Sequence, residues 1–347
     1  MADKELLSQI ARQLVAPGKG ILAADESSGT IKRRFDAIGV ESTEANRRDY
    51  REMLFRTEGV GEFVAGVILY DETIRQNGAD GTPLVKVLEA QGIVPGIKVD
   101  TGAKPMPHSP NELMTEGLDG LRERFAEYAA LGAKFSKWRA VITIGDGIPT
   151  DYCIDVNAQA LARFANLSQE AGIVPIVEPE VLMDGTHSID ECYEATQRTL
   201  RRTFWELGNQ HVLLEGMLLK PNMVLSASDA PNRAPASEVA RYTVTAFKRV
   251  VPAAVPGIVF LSGGQGDDEA TSNLDAINRY AQQVGHCPWE ISFSFGRGLQ
   301  AAPQKAWSGK VSNVPAAQRA FYHRAKVSSA ARQGQYSVEM EKELAIP

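Results

Sequence analysis

The feature that most limits what this chain can fold into is a rhythm of short apolar runs. Eight of them recur: Gly20 to Asp25, Val64 to Tyr70, Ile93 to Val99, Ala133 to Ile142, Ile173 to Val181, Val212 to Lys220, Gly257 to Ser262 and Glu290 to Gly296. They are spaced roughly 30 to 45 residues apart, as a strand, a covering helix and two loops require when strands run parallel. Apolar throughout rather than alternating, they have the pattern of strands buried on both faces.

The intervening segments read as helices closed by glycine. Asp155 is placed to cap a helix carrying Ala158, Leu161, Ala162, Ala165 and Leu167, with Gly172 just past its end where a left-handed residue closes a helix. Ser188 with Glu191 three residues on matches a capping box, and Ile189, Tyr193, Thr196, Leu200, Phe204 and Leu207 follow at helical spacing. Eight such units with no break in composition predict an α/β chain folded as a single-domain (β/α)8 barrel over residues 1–347. A doubly wound open sheet is the competing arrangement. A short N-terminal helix on the surface, in MADKELLSQIARQL, precedes the barrel, and a polar, mobile tail is expected over 326–347.

Composition narrows the function classes. The net charge of −6 comes without a run of basic residues to neutralise a phosphate backbone, so nucleic acid is not an expected partner. No stretch approaches 18 uninterrupted apolar residues, so no membrane partner is expected. The N-terminal segment lacks the basic-then-apolar layout of a signal peptide, and Cys153, Cys192 and Cys287 show no C-x-x-C spacing; both favour a cytoplasmic, reducing location. The five histidines, His108, His187, His211, His286 and His323, supply no H-x-x-x-H spacing, so no metal site is expected. There is no G-x-S-x-G elbow for a serine nucleophile.

In a parallel barrel the working face lies at the C-terminal ends of the strands, and those ends are polar here. Asp25 ends the first run, Lys98 and Asp100 the third, Lys137 and Arg139 lie in the fourth, Glu178 and Glu180 in the fifth, Lys220 ends the sixth, Ser262 the seventh, and the eighth leads to Arg297. Residues two apart on a strand share a face, so Lys137 and Arg139, and likewise Glu178 and Glu180, point the same way. Single charges of this kind often solvate a sheet edge. Charges converging inside a barrel must instead be paired, which suggests a network kept for chemistry.

Within that set Lys220 directly follows an apolar run, in MLLKPN. Desolvation and the like charge of Lys137 both favour a neutral amine, a nucleophile toward ketones; a phosphate or carboxylate ligand is the other reading of the same residue. Glu178 and Glu180, side by side, are suited to opposite protonation states. Ser262-Gly263-Gly264-Gln265-Gly266 and Gly296-Arg297-Gly298 let backbone N–H groups approach an anion, and Asp25-Glu26-Ser27-Ser28-Gly29-Thr30 opens a helix bearing Lys32, Arg33 and Arg34. Together they point to a phosphorylated small-molecule substrate.

The segments GILAADESSGT, GIKVDTG, FSKWRAVITIG, IVPIVEPEV, LLKPNMV, FLSGGQ and ISFSFGRGLQ resemble, in order and spacing, class I fructose-bisphosphate aldolase, from about Ile10 to Tyr336. The resemblance implies a (β/α)8 barrel, usually a homotetramer, that cleaves fructose 1,6-bisphosphate reversibly without a metal or other cofactor. It puts the Schiff-base lysine at Lys220, the principal acid/base at Glu178, Glu180 beside the imine lysine, and the lysine that assists the carbinolamine at Lys137. It gives Asp25 the proton of the C4 hydroxyl. Phosphate binding at one end is implied for Ser262, Gly263, Gly264, Ser294, Gly296 and Arg297. Ser27, Thr30, Arg34, Lys98 and Arg139 are similar to the ligands toward the other end.

One departure concerns proton exchange. Many family members end in a tyrosine that assists it at the enamine, whereas this sequence ends Glu343-Leu344-Ala345-Ile346-Pro347, and Tyr336 matches a position upstream. That role is therefore not transferred; another group is expected to serve, or the exchange to be slower. Thr30 stands where a serine is common and keeps the hydroxyl. A phospho-sugar isomerase using Glu178 as base, an aldolase of shorter ketoses and a partner-binding scaffold are the competing functions, and the converging charges speak against the scaffold.

Overall fold

Hydrogen bonds close the eight expected strands into a ring. The computed structural model describes residues 3–285 and 287–342. Its strands are β1 (Gly20–Ala24), β2 (Val64–Leu69), β3 (Val94–Lys98), β4 (Gly102–Pro105), β5 (Leu113–Glu116), β6 (Phe135–Ile142), β7 (Val174–Val181), β8 (Leu218–Leu219), β9 (Gly257–Phe260) and β10 (Glu290–Phe295). The barrel order is β1-β10-β9-β8-β7-β6-β3-β2, every pairing parallel, so the open-sheet alternative is overturned. Strands β4 and β5 form a separate antiparallel hairpin between β3 and β6. Being short and partly exposed, that hairpin carries no apolar run and left no trace in the pattern.

The strand expected from Val212 shrinks to two residues. Leu214–Gly216 is a 3₁₀ turn, and Pro221 has no N–H with which to extend the ladder. The backbone N–H of Lys220 still donates to the carbonyl of Val177 at 2.8 Å, so that residue is held in register just beyond the strand.

The helix expected from Asp155 runs Asp151–Glu170 and starts one turn earlier. Thr150 is the cap, its Oγ1 accepting from the N–H of Cys153 at 3.1 Å, while Asp155 pairs with Arg202 at 2.7 Å. Gly172 does take a left-handed φ of 74°. The capping box of Ser188 and Glu191 opens the helix Ile189–Asn209. Residues 326–332, expected as the start of a tail, complete the helix Val314–Arg332. Arg332 is buried and donates to the carbonyl of Val15 at 2.6 Å, and Tyr336 is buried as well, so the chain stays packed to that point. Residues 343–347 lie outside the described part. None of the described helices is long and apolar enough to cross a membrane.

The N-terminal helix Lys4–Leu14 is more than a surface element. Its Leu7, Ile10, Ala11 and Leu14 pack on Ile21, Ile68, Val94, Phe135, Val174, Ile176, Leu218 and Val259, so the helix plugs the end of the barrel opposite the charged strand ends. Each large side chain buried this way stabilises by about 1.5–3 kcal/mol. Phe135 fills the ring at that level only because two neighbours lack side chains: a Cβ on Gly96 would stand 2.3 Å from its ring and one on Gly66 3.0 Å.

Gly96→Ala should therefore overpack the barrel floor. A loss of about 1–3 kcal/mol of unfolding free energy is expected, read as a lower denaturant midpoint than wild type.

Candidate active site

The C-terminal strand ends open into a cavity of about 810 Å³. All the catalytic candidates, Asp25, Lys137, Glu178, Glu180 and Lys220, line it, as do all the binding candidates except Gly264. A Cβ on Gly264 would meet Met183 at 2.8 Å, so its surface turns toward the protein interior.

Strand register assembles the centre. Lys98 pairs with Lys137, and Arg139 with Glu178, so two successive levels of inward side chains carry charges of both signs. A continuous chain results. Lys220 Nζ lies 3.4 Å from Glu178 Oε1, Glu178 Oε2 lies 3.3 Å from Lys137 Nζ, and Lys137 Nζ lies 2.7 Å from Asp25 Oδ2. Lys137, Glu178 and Lys220 are each 3% exposed, so water does little to screen these contacts.

The pairings move the proton affinities of the chain's far end. Burial alone would push the Asp25 carboxyl up, but the charges of Lys137 and Lys220 outweigh it and hold the group well below the usual carboxylate range. Burial would likewise lower Lys137, yet Asp25, Glu178 and Asp100 together raise it above an ordinary lysine. Asp25 therefore stays ionised and Lys137 stays cationic. Arg139 is raised in the same manner, against burial, by Glu180.

Glu180 occupies a different place from the one expected. The carboxylate within ion-pair distance of Lys220 is that of Glu178, whereas Glu180 bonds the Nε–H of Arg139. The register explains this: Glu180 pairs with Val141, one step beyond the Arg139–Glu178 pair, where the long guanidinium side chain reaches it.

Two helix N-termini border the cavity. Ser27 caps Ser28–Asp36 and Gly296 caps Arg297–Trp307, and in neither does a side chain satisfy the first N–H groups. Unsatisfied donors and the helix dipole favour an anion at each. On the first side Ser27 Oγ and Thr30 Oγ1 lie 3.2 Å apart, and Arg34 is ion-paired with Glu26. On the second, Arg297 donates to the carbonyl of Gln265 at 2.8 Å, and the buried Ser294 hydroxyl, which lines the cavity, has no hydrogen-bond partner. Lys98 reaches Asp100 at 2.7 Å.

Sequence reasoning missed Glu26 as a partner of Arg34, and it missed a lobe of the cavity walled by Asp71, Arg75, Arg124 and Tyr128. Glu26 adjoins Asp25 in AADES, so its position was visible though its target was not. Asp71 directly follows the second run and Arg75 closes the short helix Asp71–Ile74, while Arg124 and Tyr128 sit on the helix Leu121–Ala130 before β6, away from any strand end. Among the described residues no histidine lines the cavity, and no group of three or more His, Cys, Asp or Glu is placed to hold a metal.

The family model for fructose-bisphosphate aldolase class I, a glycolytic family, matches residues 6–346. A probable fructose-bisphosphate aldolase class 1 of Xanthomonas campestris pv. campestris is 52% identical over 333 residues, covering 96% of this chain and 98% of the relative. Fructose-bisphosphate aldolase 4, cytosolic, of Arabidopsis thaliana is 50% identical over 332 residues, covering 96% of this chain and 84% of the relative. Among solved structures, the fructose-bisphosphate aldolase of Plasmodium falciparum, in a ternary complex with TRAP and a small-molecule inhibitor, superposes with a TM-score of 0.94 at 47% identity, covering 96% of both chains.

The low proton affinity of Asp25 has a definite sign in stability. Its folded value lies below its unfolded one, so the stabilisation is complete above the ordinary carboxylate range and is lost as pH falls through the folded value. Between about pH 5 and 3 the wild-type unfolding free energy should fall more steeply than that of Asp25→Asn. Parallel slopes in urea titrations at stepped pH would contradict the pairing.

Proposed function

The chain belongs to the class I fructose-bisphosphate aldolase family, and on that premise we propose that Lys220 forms the Schiff base of its reaction. That reaction is the reversible aldol cleavage of fructose 1,6-bisphosphate to dihydroxyacetone phosphate and glyceraldehyde 3-phosphate, a step of glycolysis and gluconeogenesis. The buried chain Lys220–Glu178–Lys137–Asp25 is the observation that carries the assignment.

The steps follow from the order of groups in that chain. Lys220 passes a proton to the carboxylate facing it, Glu178 at 3.4 Å, and adds as the amine to the C2 ketone, giving a carbinolamine whose hydroxyl Glu178 then protonates as water leaves. The protonated imine then draws the electrons of the C3–C4 bond. As that bond breaks, the proton of the C4 hydroxyl passes to Asp25, glyceraldehyde 3-phosphate departs as the aldehyde, and an enamine remains on Lys220. Protonation at C3 and hydrolysis release dihydroxyacetone phosphate. Lys137, fixed between the two carboxylates, supplies positive charge to oxygen atoms at C2 and C4, and its raised proton affinity suits it to donating hydrogen bonds rather than protons.

Binding of two phosphates is supported by the two uncapped helix N-termini on separate sides of the cavity. Ser262, Gly263, Ser294, Gly296 and Arg297 take one phosphate, and Ser27, Thr30, Arg34, Lys98 and Arg139 the other. Gly264 shapes the first loop from behind. A cytoplasmic location, in keeping with the cytosolic name of the plant relative, and a homotetramer complete the reading; sedimentation at four times the chain mass is the expected result.

Borohydride reduction in the presence of dihydroxyacetone phosphate and a chelator should leave one adduct, on Lys220. An adduct elsewhere, or none in folded protein, would overturn the assignment. Glu178→Gln should still form the adduct, with kcat lowered by about 10²–10⁴-fold in steady-state assays.

A further inference from the structure

Beside the catalytic chain lies a second buried charge cluster, centred on Glu26, that the reaction above does not use. The side chain of Glu26 is 4% exposed and follows Asp25 directly. One of its oxygens, Oε1, accepts from Arg34 Nη1 and, at 2.6 Å, from Gln300 Nε2. The other, Oε2, has no hydrogen bond and faces Arg51 Nη2 at 3.8 Å. Arg51, 1% exposed, donates to the Glu26 backbone carbonyl at 2.8 Å and to Thr73 Oγ1 at 2.7 Å. Tyr50 donates to Gln300 Oε1 at 3.1 Å, which orients the amide so that its Nε2 faces Glu26.

Three helices and a strand end thus meet on one carboxylate. Arg34 comes from Ser28–Asp36, Tyr50 and Arg51 from Glu44–Phe55, and Gln300 from Arg297–Trp307. Burying a carboxylate is tolerated only with such partners, so its place is fixed to the limits of the packing. Of the groups around Glu26, Arg34 alone reaches the substrate cavity, where it stands with Ser27 and Thr30. A guanidinium has five N–H donors in a rigid fork. Glu26 takes one Nη1 donor, leaving Nε and Nη2 for another oxyanion.

We propose that Glu26 is a positioning residue that fixes the Arg34 fork at the cavity wall, and so sets the preference for doubly over singly phosphorylated ketose. The proposal rests on the aldolase reading and on placing the 6-phosphate, which fructose 1-phosphate lacks, at the Ser27–Arg34 side. Glu26 borders the cavity, but its 4%-exposed carboxylate is spent on Arg34 and Gln300, so its part is to hold Arg34 rather than to bind substrate. It removes the rotational freedom that a long cationic side chain would otherwise lose on binding, and it leaves the catalytic lysines untouched.

The test compares fructose 1,6-bisphosphate with fructose 1-phosphate in Glu26→Gln, Arg34→Gln and the double variant. Glu26→Gln should raise KM for the bisphosphate roughly tenfold with kcat kept, and leave the monophosphate constants within twofold. In the Arg34→Gln background it should add nothing, because it acts through that side chain. Equal effects on both substrates, multiplying effects in the double variant, or a lower KM for the bisphosphate would each overturn the proposal; the last would make Glu26 a competitor of the phosphate. Should Glu26→Gln not fold, Gln300→Leu decides: it keeps the ion pair, loses the amide support, and should raise only the bisphosphate KM, by about two- to threefold. Borohydride labelling of Lys220 with dihydroxyacetone phosphate in each variant separates failure of this inference from failure of the aldolase reading, since the label should persist throughout.

Discussion

An ammonium group taken out of water persists only where carboxylates replace its hydration, and Lys137 sits between two of them, Asp25 and Glu178. The polar end of the barrel is arranged around that requirement. Each carboxylate meets at least one cation, and each cation in the ring, Lys98, Lys137, Arg139 and Lys220, meets a carboxylate. Removing one partner strands a buried charge, a loss of roughly 3–5 kcal/mol in such sites. The side chains are therefore held in one geometry before any substrate arrives, which is the condition for electrostatic stabilisation without reorganisation.

The depth at which Lys137 sits is set from below. Phe135, Lys137 and Arg139 alternate with outward residues on β6, so they share its inner face. Phe135 is wedged over Gly66 and Gly96 at the barrel floor, beneath which Leu14 of the N-terminal helix lies against Gly66. Outward, Trp138 stacks on Phe164 of the covering helix at 5.7 Å. A slip of one residue would send Phe135 outward and Trp138 into the ring, so packing of an apolar layer fixes the position of a charged one. The two glycines and Lys137 are in this sense one device.

Much of this is legible in the sequence because buried parallel strands leave an uninterrupted apolar signature, and because a charge that ends such a run is seldom placed there by packing alone. Asp25 and Lys220 stand out on that ground, and Lys137 and Glu178 stand out as charges inside such runs. Side-chain direction over distance stays hidden. The apolar run to Lys220 gives no sign that Pro221 and a 3₁₀ turn cut β8 to two residues. Glu178 and Glu180 cannot be told apart until register puts Arg139 within reach of the second. Glu26 pairs with Arg34 eight residues on and with Gln300 on a helix 274 residues away, and no local pattern carries such a contact.

One tension remains in the proposed chemistry, and the charge arrangement resolves it. A carboxylate held as low as Asp25 is a weak base, yet it must take the C4 hydroxyl proton. Burial works to raise its proton affinity, and the cationic charges of Lys137 and then Lys220 work against it. Cleavage changes the second of these cations. When the C3–C4 bond breaks, its electrons flow into the protonated imine on Lys220, and the positive charge there is cancelled. One of the two main cations depressing Asp25 disappears as the proton reaches it, so burial, until then overruled, strengthens the base. In the proposed reaction the free protein keeps Asp25 ionised and ready to accept, and loss of the imine charge would make it a stronger base as the proton arrives. Proton transfer and bond cleavage are thereby coupled through a field that the barrel fixes in advance, and neither requires Asp25 to be a strong base in the free protein.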